Sequence, residues 1–185
     1  MKRLIFFAGF LLLAMFLFEF NYGYSQKNDS VETVREKLIK ACKEYCRIDN
    51  SPEFCKRICE VEIFNTRWIF LSFDSSGSAH FYDSKSLSTS DNIVRVWTKI
   101  ICTERDKQEH IRKFGRKYEN LDHVLLLFKI DCIKRKSSII KFVCYASDGS
   151  VIDSYDYPEF LADWEPIVPD SITEVLFKKA CQVKE

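Results

Sequence analysis

The chain has 185 residues, 46% of them hydrophobic and 15% aromatic, with 28 basic and 27 acidic side chains. That balance excludes bulk electrostatic capture of nucleic acid or anionic lipid, which needs a surplus of lysine and arginine. Eight cysteines and only five glycines point toward disulfides and away from a glycine-rich phosphate loop.

Lys2 and Arg3 precede an apolar run from Leu4 to Phe18, the length of a signal-peptide core and short for a membrane span. Gly23 and Ser25 supply the small residues a signal peptidase needs ahead of Gln26. Residues 1–25 are therefore predicted to be a leader lost on export, with an uncleaved anchor as the other outcome. Losing Lys2, Arg3 and Glu19 leaves a neutral mature chain that keeps every cysteine. Its destination is the periplasm, the cell surface or the extracellular space, where oxidation favours disulfides.

Residues 27–62 form a predicted αα-hairpin. Val31, Val34, Leu38 and Cys42 recur at helical spacing, Asn50-Ser51-Pro52 breaks the pattern, and Glu53 to Val61 resumes it. Cys42 and Cys46 mirror Cys55 and Cys59 about that turn. Folding the helices antiparallel faces Cys46 to Cys55 and Cys42 to Cys59, giving a nested pair of disulfides. Four thiolates also suit zinc, but zinc knuckles use tighter spacings, and an exported chain meets oxidants first. The hairpin is read as a local staple, with a binding arm as the alternative.

Residues 63–185 are the second predicted domain, and from Trp68 the period changes to two. Strands are predicted at Trp68–Phe73, Ala79–Asp83, Ile93–Cys102, His123–Cys132, Ser138–Ala146 and Val151–Tyr155, with a tight turn at Asp148-Gly149. The charged stretch 103–122 reads as a long solvated connection or a short exposed helix. Ser171-x-x-Glu174 is a capping box opening a final helix, whose stripe of Ile172, Val175, Leu176 and Ala180 must lie on the sheet, with Phe177 and Cys181 at its edge. The fold class is α+β: an antiparallel meander of about six strands with a C-terminal helix packed on it, plus the N-terminal αα-hairpin.

The Ile93–Cys102 strand puts Val94, Val96, Thr98, Ile100 and Cys102 on one face and Arg95, Trp97 and Lys99 on the other. Those last three are the candidate binding residues. Trp97 is open to a partner, stacked under arginine, or covered by a second layer such as the cysteine hairpin or a dimer mate. His80, His110 and His123 show no catalytic or metal-ligand spacing. Asp153 and Asp156, near Tyr155 and Tyr157, read as strand-end residues rather than a cation site. No catalytic residue, metal ligand or cofactor is assigned.

In order and spacing, Trp68, Phe81-Tyr82-Asp83, Val94-x-Val96-Trp97-Thr98-Lys99, Asp131-Cys132 with Arg135, Asp148-Gly149, Trp164 and Ile167-x-Pro169-x-Ser171 through Cys181 resemble the surface-adhesin protein E family of bacterial exported proteins. The resemblance runs from Trp68 to Cys181. It implies the same sheet and helix, and a disulfide between Cys132 and Cys181. The meander geometry agrees. Cys102 and Cys144 end strands about 10 Å apart across an intervening strand, which leaves them as buried thiols or a strained second bridge. The paired-cysteine hairpin, the missing lipidation cysteine and Asp170, where a glycine is common, depart from the family.

Founding members of that family adhere to host matrix proteins. The expected function is thus an exported, disulfide-stabilised, non-enzymatic binding or adhesion module of the bacterial envelope or surface. Its partner would be a protein or an envelope surface, with a homodimer as a further candidate. The alternative is a small periplasmic enzyme or inhibitor with an unrecognised site. A pocket converging on His80 or His123 beside a strongly perturbed acid would favour that alternative.

Overall fold

The computed structural model describes residues 36, 39–40, 42–44, 46, 51–161 and 163–181. The predicted leader, residues 1–25, and most of the first hairpin helix lie outside the described residues. The chain divides into two units, residues 1–44 and residues 45–185. Of the first, residues 36, 39–40 and 42–44 are helical. Among the described residues no helix is long and apolar enough to cross a membrane.

The second unit begins with the hairpin's return arm. Ser51 caps a short helix α1 (Pro52–Lys56): its Oγ accepts from the Phe54 N–H at 3.2 Å, and a proline occupies the first turn. Proline's fixed φ suits that position, where its missing N–H costs no helical hydrogen bond. The arm continues as one turn of π-helix at Arg57–Val61 and a 3₁₀ turn at Glu62–Phe64. Ile58 and Cys59 in it are wholly buried. Cys46 and Cys55 are bonded, with Cα atoms 5.6 Å apart. Cys42 and Cys59 each take part in a disulfide.

The sheet has eight strands, β1 (Trp68–Phe73), β2 (Ala79–Asp83), β3 (Ser88–Ser90), β4 (Ile93–Ile101), β5 (Leu121–Asp131), β6 (Lys136–Ala146), β7 (Val151–Asp156) and β8 (Glu165–Pro166). The path β1-β2-β4-β5-β6-β7 is an antiparallel meander, with β3 beside β4 and β8 beside β6. These two short strands are the addition to the six expected. Three or two residues are too few to show a period, so the pattern does not reveal them. The turn that makes β3 is legible, however. Asp91 and Asn92 both have positive φ, 49° and 64°, the geometry of a two-residue type I′ hairpin that Asp and Asn tolerate.

The charged connection holds an exposed helix α2 (Glu104–Phe114), capped by Thr103 Oγ1 on the Asp106 N–H. Gly115, with φ 94°, lets the chain leave it. The last helix, α3 (Ile172–Ala180), begins at the expected cap, Ser171 Oγ accepting from Glu174 N–H at 3.1 Å. The Glu174 carboxylate closes the box one residue early, on the Asp170 N–H at 3.0 Å, and also holds Arg135 at 2.9 Å. Asp170 has φ 60°, the conformation for which glycine is the unstrained choice.

Two cores form on the Val94 face. Leu176, Phe177 and Ala180 of α3 pack with Val94, Val96, Ile130 and Ile167. Tyr118 and Leu121 pack with Val124 and Cys144 farther along. Phe177, expected at the stripe's edge, is 2% exposed and lies at its centre. The roll of a helix on a sheet depends on the facing side chains, which spacing alone does not specify. Cys132 and Cys181 are bonded, Cα atoms 5.7 Å apart, tying the end of α3 to the end of β5.

Candidate functional site

The register Arg95↔Lys129, Trp97↔Leu127 and Lys99↔Leu125 puts Lys129 on the face that carries the three candidate residues. These residues divide into an inner and an outer group.

Lys99 belongs inside. It is 8% exposed, its Nζ lies 2.8 Å from Glu62, and it sits over the rings of Trp68 and Phe81 at 5.1 and 5.3 Å. A carboxylate and two π faces offset the cost of removing the ammonium from water. Arg57 makes a parallel attachment, its two terminal nitrogens 2.6 and 3.1 Å from the Asp122 carboxylate. The return arm is therefore a second layer over this half of the face. Trp97 is half-buried, and its backbone N–H donates to Ser86 Oγ at 3.0 Å.

Arg95 and Lys129 belong outside. Arg95 Nη2 lies 2.7 Å from Glu159 Oε1, and Lys129 Nζ 3.0 Å from Oε2 of the same carboxylate. Lys129 also lies 5.7 Å from the ring centre of Trp164. The two cations face the Glu159 carboxylate they share and that of Asp91 at the rim. Lys129 and, secondarily, Arg95 hold the Glu159 carboxyl below its ordinary range. Beside them the exposed hydroxyl strand Ser88–Ser90, with Asp91 and Ile93, completes an open cleft of about 340 Å³. Such a cleft suits an anionic or hydroxyl-rich group on a partner. Lys129 was within reach of sequence reasoning, since it continues the Leu125, Leu127 alternation of β5. Glu159 and Trp164 lie outside the long strands, and no periodicity places them at this cleft.

The histidines serve other ends. His80 Nε2 lies 2.8 Å from Asp74 Oδ2. Burial pushes the Asp74 carboxyl up, but the bonds from His80 and Ser76 outweigh it and bring it down to about 2. His123 Nδ1 lies 2.9 Å from Asp122 and its ring stacks on Tyr145 at 4.9 Å. His123 first, then Arg57, lower the Asp122 carboxyl against the opposing effect of burial. Carboxylates held this low are ion-pair partners and weak bases at neutral pH. His110 lies among Phe114 and Tyr118. None of the three histidines lines the cleft beside Asp122, the Arg95 cleft or the groove beside β6.

Asp153 is bonded by Lys117 and the Tyr118 hydroxyl, and Asp156 by Lys141. Among the described residues no group of His, Cys, Asp and Glu is placed to hold a metal ion. Cys102 and Cys144 are free. Burial pushes their thiols up to about 12 and about 11, which keeps them protonated and unreactive.

The family described as surface-adhesin protein E matches residues 68–182. Among solved structures, the chain is similar to crystal form II of Haemophilus influenzae protein E. That likeness has a TM-score of 0.46 at 10% identity, over 64% of this chain and 89% of that one. A second structure of Haemophilus influenzae protein E gives 0.45 at 12% identity, over 64% and 86%. No curated protein matches the chain.

Proposed function

This chain belongs to the surface-adhesin protein E family, and from that premise we propose that it is an exported, disulfide-stabilised, non-enzymatic binding module acting at the bacterial surface. The observation that carries this reading is the open cleft where Arg95 and Lys129 share Glu159 beside the exposed Ser88–Ser90 strand. Arg95 and Lys129, at the surface and beside half-buried tryptophans, can exchange Glu159 for an acidic group on a partner. A non-enzymatic role is supported by Asp74 and Asp122, which are held in ion pairs below the range of a working base, and by thiols too basic to be nucleophiles. Lys99, drawn inward to Glu62, is assigned to holding the return arm on the sheet.

Displaying the chain on a non-adherent bacterium and counting cells retained under flow on decellularised mammalian matrix tests the proposal. Retention well above the empty strain is expected, falling at least tenfold for Arg95→Glu/Lys129→Glu at equal display. Equal retention of the empty strain and the displaying strain would defeat it.

A further inference from the structure

Along its outer edge, β6 changes partner. From Lys141 onward it pairs with β7, and at Lys136 and Ser137 it pairs with β8. Ser138 and Ile139 between them pair only inward, with Lys129 and Phe128 of β5. A groove of about 480 Å³ lies at this break. Leu126, Phe128, Phe142, Ile139, Tyr157 and Leu161 make its apolar lining. Ile139, Tyr157 and Leu161 are 39%, 41% and 65% exposed, so much of that lining meets water.

The charge of the groove is one-sided. Among the described residues, the charged ones that line it are Asp163 and Glu165, both exposed. Neither carboxylate has an ion pair or hydrogen bond among the described residues. Their neighbours differ, since Asp156 is taken by Lys141 and Glu159 by Arg95 and Lys129. An apolar channel beside an unpaired stretch of strand suits an extended peptide, whose alternate side chains enter the channel. Unpaired carboxylates above it select cationic flanks. The aliphatic share of the lining suits a hydrocarbon side chain better than the face of a sugar.

We infer that this groove binds an extended segment of a partner protein in which an apolar side chain is flanked by lysine or arginine. The site is distinct from the Arg95 cleft and lacks its cations, so the two are tested separately.

Fluorescence anisotropy of the full disulfide-intact chain, with two labelled peptides of sequence Gly-Lys-Leu-Lys-Phe-Lys-Gly and Gly-Glu-Leu-Glu-Phe-Glu-Gly, reads the site. The lysine peptide should bind saturably, and at least tenfold more tightly than the glutamate peptide. Asp163→Lys/Glu165→Lys should weaken it at least tenfold. Leu161→Ser should weaken it at least threefold, a loss that bare electrostatic attraction does not give. Glu104→Lys/Glu109→Lys on the exposed helix α2, the same change in net charge, should leave it unchanged. These substitutions are at exposed positions, and circular dichroism checks the fold. Absent saturable binding, equal binding of both peptides, wild-type affinity in the double variant, or a groove that takes cellotetraose in place of the lysine peptide would overturn the inference.

Discussion

Lys99 and Arg95 lie four residues apart on one strand face, yet one is buried in an ion pair and the other half-exposed at a cleft. Alternation reveals the shared face; which half is covered depends on residues 57–62, far away in sequence. Lys99→Ala leaves the largely buried Glu62 carboxylate with the longer Arg57 contact, at 3.6 Å, and should cost about 2 kcal/mol in urea unfolding. Lys99→Met with Glu62→Leu should recover most of that and leave partner binding intact. At acid pH Asp74 gives a second residue-scale expectation. Its folded pKa, about 2, lies below the ordinary value of 3.8. The stability it contributes is present above the ordinary pKa and lost as pH falls through the folded one. Between pH 4 and 2 the wild type should therefore lose more stability than Asp74→Asn. A steeper acid limb in the variant would refute the assignment.

At the level of elements, the long strands and the cap of α3 are legible because each carries a local rule. Strands of five to eleven residues show period two, and Ser171-x-x-Glu174 places a hydroxyl where an unpaired N–H needs it. β8 escapes notice because it consists of two residues placed by β6, and Phe177 was set at the edge because the roll of α3 is a tertiary outcome. The bridge at the end of α3 closes a separation of 49 residues, worth about 4 kcal/mol in the chain-entropy account. Cys181→Ser should lower the unfolding free energy by about that much. Cys144→Ala, which trims a small buried thiol, should cost about 1 kcal/mol. Calorimetry of the two variants side by side checks the order; a larger loss for Cys144→Ala would reverse the placement of these cysteines.

Across the whole molecule, oxidation and surface charge carry the account. Six cysteines are disulfide-bonded, and Cys102 and Cys144 are free. Thiol titration should find two groups per chain in denaturant and almost none in the folded protein. Peptide mapping without reduction should show Cys42 joined to Cys59, the pairing proposed from mirrored spacing. The candidate cleft is half legible. Arg95 and Trp97 stand out on a strand face, and Lys129 follows from the next strand's alternation. Glu159 and Trp164 meet them only through a segment whose course no local rule fixes, and the Ser88–Ser90 strand is too short to show a period. Whether that cleft is the adhesive surface is tested most directly by a quartz-crystal microbalance coated with decellularised mammalian matrix, over which the disulfide-intact protein is passed. Saturable uptake by the wild type is expected, reduced at least tenfold in Arg95→Glu/Lys129→Glu and unchanged in Lys99→Met/Glu62→Leu. Uptake that ignores the charge reversal, or is absent in the wild type, would contradict it.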